Sequence, residues 1–110
     1  MRIYWTKRSI SRFEEIHRYI QEEFGNKASQ KFRDRVFDFL ELLQNYPELG
    51  TLEVSNKNIY GFQLSKQTQL FYRINKEHIS LLTFFDNRQH PLAGQQTRYE
   101  CSNEAQPQGS

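Results

Sequence analysis

A chain of 110 residues has room for one hydrophobic core and not for two ordinary domains. A quarter of the residues are charged and 15% are aromatic, nine Phe and six Tyr among them, so the core is built on rings and disorder is excluded before the C-terminus. The formal charge of +2, with 14 Lys and Arg against 11 Asp and Glu once Arg98, Glu100 and Glu104 are set aside, permits a nucleic-acid or ribosomal partner without demanding one. The single cysteine, Cys101, excludes an internal disulfide. No run approaches the roughly 20 apolar residues of a membrane span, and the N-terminus lacks the apolar centre of a signal peptide. A cytoplasmic protein with no membrane contact is expected.

Met1, Ile3 and Trp5 alternate with Arg2 and Tyr4, the pattern of a short half-buried strand. Thr6 offers an N-cap hydroxyl to a helix whose apolar residues Ile10, Phe13, Ile16, Ile20 and Phe24 recur at spacings of 3, 3, 4 and 4. Gly25 stops that helix, and Asn26 is expected to cap a second one with the stripe Ala28, Phe32, Val36, Phe39, Leu40 and Leu43. Pro47 and Gly50 end it. Two amphipathic helices joined by one or two residues lie antiparallel and form an apolar layer for one side of a sheet.

Residues 51–58 form a polar connector, with a short extended piece at Leu52 to Val54 and a turn at Asn56-Lys57-Asn58. Ile59 to Leu64 places Tyr60, Phe62 and Leu64 on one parity of a further strand. Two more runs, Leu70 to Ile74 and Ile79 to Phe85, flank the polar link Asn75-Lys76-Glu77-His78 and make an antiparallel hairpin. The expectation is an α+β domain over residues 1–94: strand, helix, helix, then a three-stranded meander, with the helical hairpin on one face of a small, mainly antiparallel sheet. Residues 95–110 read as a flexible polar tail.

In Ile79 to Phe85 apolar residues fall on both parities, which marks the central strand. One helix pair covers one face of a sheet. Phe71, with Leu82 and Phe84 or their opposite-parity neighbours, is therefore expected on an uncovered apolar face of roughly a few hundred Å², a feature that usually marks a binding surface. The chain is expected to need a partner.

Five phrases in register resemble the RelE/ParE superfamily of bacterial type II toxin-antitoxin toxins: Tyr4-Trp5-Thr6; Ile16-His17-Arg18-Tyr19-Ile20 running into Phe24-Gly25 and Ala28; Phe39-Leu40 with Leu43, then Tyr46-Pro47-Glu48-Leu49-Gly50; Phe71-Tyr72-Arg73-Ile74; and Asn87-Arg88-Gln89-His90-Pro91. The resemblance spans residues 1 to about 92. It implies the strand-helix-helix-meander fold and a cognate antitoxin lying across the sheet and helices. The ending Asp86-Asn87-Arg88-Gln89-His90-Pro91 is similar to the ParE-like phrase histidine, glycine, arginine, any residue, aspartate, proline, with His90 in place of the aspartate. That implies a toxin which binds DNA gyrase without catalysis, with Tyr60, Phe71, Arg73 and Arg88 as target or antitoxin contacts. Where many members have Ile-Arg-x-Phe, this chain has Ile59-Tyr60-Gly61-Phe62, so a common arginine is replaced. A folded, antitoxin-binding but harmless member is the reading that this replacement supports.

The enzymatic alternative is a RelE-like mRNA endonuclease acting on the ribosome. It needs a base for the ribose 2'-hydroxyl, cations for the phosphate and an acid for the leaving oxygen. Arg73, Arg88 and His90 are the candidates, with His78 a weaker one, and Arg73, Arg88 and His90 could converge at one rim of the sheet. The structural alternative has Arg73 solvated, Arg88 paired with Asp86 or a carbonyl, and His90 in a turn before Pro91. Lys7, Arg8, Arg12 and Arg18 on the first helix and Lys27, Lys31, Arg33 and Arg35 on the second face either an acidic antitoxin or water. Three dispersed histidines and one cysteine offer no metal-ligand spacing, and there is no Gly-rich phosphate loop or nucleophile elbow, so no metal and no cofactor are expected.

Overall fold

The structure, a computed structural model, describes residues 1–88. His90, Cys101, the end of the expected 1–94 unit and the expected tail over 95–110 lie outside the described residues. Strand β1 (Arg2–Trp5) is followed by helices α1 (Lys7–Phe24) and α2 (Asn26–Asn45), a 3-10 turn at Pro47–Leu49, and strands β2 (Thr51–Val54), β3 (Ile59–Gln63), β4 (Thr68–Ile74) and β5 (His78–Asp86).

Thr6 caps α1 as its position implies. Its hydroxyl accepts from the Ser9 N–H at 3.2 Å and donates to the Leu81 carbonyl at 2.7 Å, which ties the helix start to β5. Ile16 and Ile20 are buried along α1, but Ile10 and Phe24 remain 42% and 56% exposed. Helical phase accounts for Ile10: at about 100° per residue it sits roughly 120° from Ile16, whereas Ser9 sits about 20° away and is fully buried. A small side chain there lets the first turn approach the sheet.

The joint between the helices is one residue. Gly25, at φ 94° and ψ 174°, donates to the Gln21 carbonyl to close α1 and accepts from the Ser29 N–H to open α2. That backbone region is essentially closed to residues with a Cβ. The cap of α2 is therefore Gly25 and not Asn26, which is the first helical residue and accepts a side-chain bond from Gln21 at 2.6 Å. The α2 stripe is as expected, with Phe32, Val36, Phe39, Leu40 and Leu43 buried.

The sheet has five strands in the order β1-β5-β4-β3-β2. Its meander holds four strands rather than three, because Thr51–Val54 pairs antiparallel with β3. β1 adds to β5 in parallel, and the helical hairpin carries the chain from β1 to β2 at the opposite edge of the sheet. Phe71 pairs with Thr83 while Tyr72 pairs with Leu81, so Leu82 is an extra residue in β5, a β-bulge. The bulge switches parity, and Ile79, Leu81 and Phe84 all enter the core beneath the helices. Apolar residues on both parities of β5 thus reflect a bulge in addition to a second face. Phe84 is a core residue, and the centre of the opposite face is not open: Ile59 and Phe71 are 3% and 2% exposed. The expected broad uncovered apolar face is not found there.

Tyr72 anchors the exit of α2. Its buried hydroxyl donates to the Pro47 carbonyl and accepts from the Gly50 N–H, each at 2.9 Å. Burial pushes the phenol up to about 12. A Cβ at Gly50 would lie 2.7 Å from the Gly61 carbonyl oxygen and 2.8 Å from the Tyr72 hydroxyl, so only glycine passes beneath the ring.

Candidate functional site

Asp86 ends β5 and fixes the start of the segment beyond it. The carboxylate is fully buried and accepts four hydrogen bonds: from the Thr68 hydroxyl at 2.7 Å, the Arg88 backbone N–H at 2.9 Å, and Arg88 Nε and Nη2 at 3.0 and 2.7 Å. Burial alone would raise its pKa. The Arg88 side chain, then Thr68 and the Arg88 N–H, outweigh that and hold the carboxyl below its ordinary 3.8. The same pairing raises the Arg88 guanidinium. Arg88 is therefore fixed, with its cation 5.7 Å from the centre of the exposed Phe24 ring and its carbonyl accepting from the Tyr19 hydroxyl at 3.5 Å.

Arg88 lines a pocket of about 140 Å³ between the helical hairpin and the β3–β4 turn. Lys31 and Arg35 complete its cationic rim, and Ile20, Phe32 and Leu64 contribute apolar walls. Arg35 is held in place by donating to the Leu64 carbonyl at 3.0 Å. Arg12 also has a structural attachment: it donates to the Phe84 carbonyl at 3.2 Å and pairs with Glu15, and burial lowers its pKa. Neither role was legible in the helical pattern, where both residues fall among surface cations.

The other expected site residues do not gather here. Arg73 is exposed on the sheet face away from the helices, paired across strands with Ile59 and Ser80. Along β4 it stands five residues from Thr68, the partner of Asp86, a separation of about 17 Å at 3.3 Å per residue. Arg73 and Arg88 thus lie at opposite ends and on opposite faces of the hairpin, and the expected convergence at one rim does not occur. Tyr60 faces the helices and stacks on Tyr72 at 5.5 Å with a 12° interplanar angle. The position that often carries arginine extends a core stack in this chain. Phe71 is buried on the face opposite Tyr60. His78 begins β5 beside Arg2, its ring edge-on to Tyr4 at 4.7 Å and its Nε2 3.1 Å from the Asn75 amide, at the end of the strand remote from Arg88.

Among the described residues no group of three or more His, Cys, Asp or Glu side chains could hold a metal, and no helix is long and apolar enough to cross a membrane.

Comparison with solved structures gives the same architecture. A chromosomal ParDE toxin-antitoxin structure from P. aeruginosa superposes with a TM-score of 0.66 at 14% identity, covering 78% of this chain and 95% of that one. A YoeB/ParE toxin from Agrobacterium tumefaciens gives 0.57 at 13% identity over 78% and 98% of the two chains. A YoeB-YefM complex from Staphylococcus aureus gives 0.51 at 14% identity over 77% and 94%. No curated protein matches significantly in sequence. The family model for the ParE toxin of the type II toxin-antitoxin system parDE matches residues 3–99, nearly the whole chain, and with this fold beneath it the chain belongs to the ParE toxin family.

Proposed function

We propose that this ParE-family toxin halts growth by binding DNA gyrase and holding it in a damaging state, without chemistry of its own, and that a cognate antitoxin neutralises it. The observation that carries the non-catalytic reading is the separation of Arg73 from Arg88. General acid-base cleavage of RNA needs cations and a proton-transfer group within hydrogen-bond reach of one phosphate. Arg73 stands about 17 Å along β4 from Thr68, the strand partner of the Asp86 that holds Arg88, and on the opposite face of the sheet, an arrangement that does not favour a clamp on one phosphate. Arg88 is in addition committed to Asp86. The match to the ParE model supports gyrase as the target class, and the toxin-antitoxin pairings described for the P. aeruginosa and S. aureus structures support an antitoxin partner.

The test is a supercoiling and cleavage assay with purified gyrase and the full chain at rising concentration, with the antitoxin complex as control. Loss of supercoiling together with trapped double-strand breaks, both reversed by antitoxin, is the expected result. An unaffected gyrase in the presence of folded protein overturns it, and growth arrest that then depends on His90 would transfer the assignment to RNA cleavage.

A further inference from the structure

The end of the sheet remote from Arg88 carries a polar cluster on the face away from the helices. Register places Arg73 on β4, Ser80 on β5 and Tyr4 on β1 in one row across three strands, with Arg2 beside His78 in the next row. An Arg2 guanidinium N–H donates to the Tyr4 hydroxyl at 2.8 Å, and the Tyr4 ring stands edge-on to His78. Asn75 donates from its amide to His78 Nε2 at 3.1 Å and to the Ser80 hydroxyl at 3.0 Å.

The directions of these bonds decide what the cluster can hold. Tyr4 and Ser80 are used as acceptors, so each keeps its own O–H to donate, and a neutral His78 that accepts at Nε2 carries its proton on Nδ1. Two guanidiniums supply further donors, and among the described residues neither Arg2 nor Arg73 forms an ion pair. Their Cα atoms are about 12 Å apart, two strand spacings across and two residues along, a gap that two arginine side chains bridge. The carboxylate on the same face, Glu53, packs over Gly61 beside Phe71. Donors that arrive from three strands with no acid among them match an anion with oxygens in several directions, a phosphate. Two exposed lysines extend the set. Lys57 precedes Asn58, whose carbonyl accepts from the Ile74 N–H, and Lys76 lies in the β4–β5 link, where Glu77 is the single acid.

We propose that this end of the open face is a phosphodiester site, and that in the complex with gyrase it holds the backbone of the DNA bound to that enzyme. The proposal rests on the gyrase reading above. Length sets the occupant. From the start of β3 to β1 the cationic strip runs about 14 Å, or about four steps of duplex DNA at 3.4 Å each, whereas a lone phosphate would leave cations unused. A carboxylate is planar and leaves the donors of one strand unmatched. With one imidazole and no carboxylate, the cluster lacks the acid-base pair that strand cleavage requires, so it binds without cutting.

The experiment follows the anisotropy of a short labelled DNA duplex as the full chain and three double variants are added, each with a melting curve to verify folding. The reference condition is about 0.1 M salt, where charges more than about 10 Å away are screened. Arg2→Glu with Arg73→Glu is expected to weaken binding at least about tenfold and to lower the slope of log affinity against log salt by about two. Tyr4→Phe with Ser80→Ala is expected to weaken it about threefold at unchanged slope. Arg18→Glu with Arg33→Glu, in the groove on the outer side of the helical hairpin, makes the same charge change and is expected to keep affinity within about twofold. In a gyrase cleavage assay the Arg2 and Arg73 variant is expected to bind the enzyme alone as the unaltered chain does, yet to trap fewer double-strand breaks. Absence of DNA binding by the unaltered chain, or equal affinity for the two charge-reversed variants, overturns the site. Unchanged affinity of the Tyr4 and Ser80 variant shows net charge alone at work and also overturns it. Tighter binding of an RNA of the same sequence, or loss of antitoxin affinity in place of DNA affinity, assigns the cluster to that ligand and overturns the proposal too. Gyrase unaffected by a chain that binds DNA through Arg2 and Arg73 overturns the gyrase reading and leaves the phosphate site standing.

Discussion

The two faces of the sheet are built on different terms. Under the helices, Ile16, Val36, Leu43, Leu70, Ile79, Leu81 and Phe84 are 0–2% exposed, and the polar groups that enter that layer, Tyr72 and Asp86, arrive with every needed partner. On the other face Ile59, Gly61 and Phe71 are buried at the centre, and Arg73 stands exposed beside them. Most of the buried apolar side chains lie on the covered face, and on the other face tolerance of substitution is expected at exposed positions such as Arg73 and not at Ile59 or Phe71.

Leu43→Ala tests the covered face most severely. Removing a fully buried leucine should cost about 2–5 kcal/mol, read as a shift in the denaturation midpoint. A loss below about 1 kcal/mol would mean that the helix layer is loosely packed.

Tyr72→Phe probes the polar anchor within that layer. It keeps the ring and strands the Gly50 N–H and the Pro47 carbonyl, at a cost of about 1–3 kcal/mol. It also carries a pH signature. The folded phenol titrates at about 12 against 10.0 for the unfolded chain, so its stabilising contribution is complete below pH 10 and is lost as pH rises through 12. The wild type should lose stability across that window more steeply than the variant does.

Asp86→Asn tests the lock on Arg88, with an expected cost of about 1–2 kcal/mol near neutral pH. The sign of the pH effect is opposite to that of Tyr72. The folded carboxyl lies below 3.8, so its contribution is present above that value and disappears as pH falls through the lower folded pKa. Wild type and variant should converge in stability in acid. At the small end, Arg73→Ala should alter stability by no more than about 0.5 kcal/mol, as an exposed strand residue does. A larger loss would show that Arg73 itself supports the fold on that face.

Much of the architecture was legible in the residues. Thr6, Gly25, Pro47 and Gly50 punctuate the helices, and the α2 stripe names its buried residues almost one for one. The pairing of Arg88 with Asp86 was one of the readings open from sequence. The candidate site was less legible. Arg73, Arg88 and Tyr60 are drawn together by family resemblance, but strand parity and register separate them.

Local chemistry decides the elements because caps, a positive φ and a 3.6-residue period act within a few residues of one another. By itself the sequence determined the helical hairpin, the β4–β5 hairpin and the ring-rich core. The tertiary structure alone decided three things. It put Leu82 in a bulge that turns Phe84 inward, paired Thr51–Val54 as a fifth strand, and brought Lys31, Arg35 and Arg88 around one pocket. Each depends on register between segments distant in the chain, and a one-residue slip between strands reverses which face every side chain occupies.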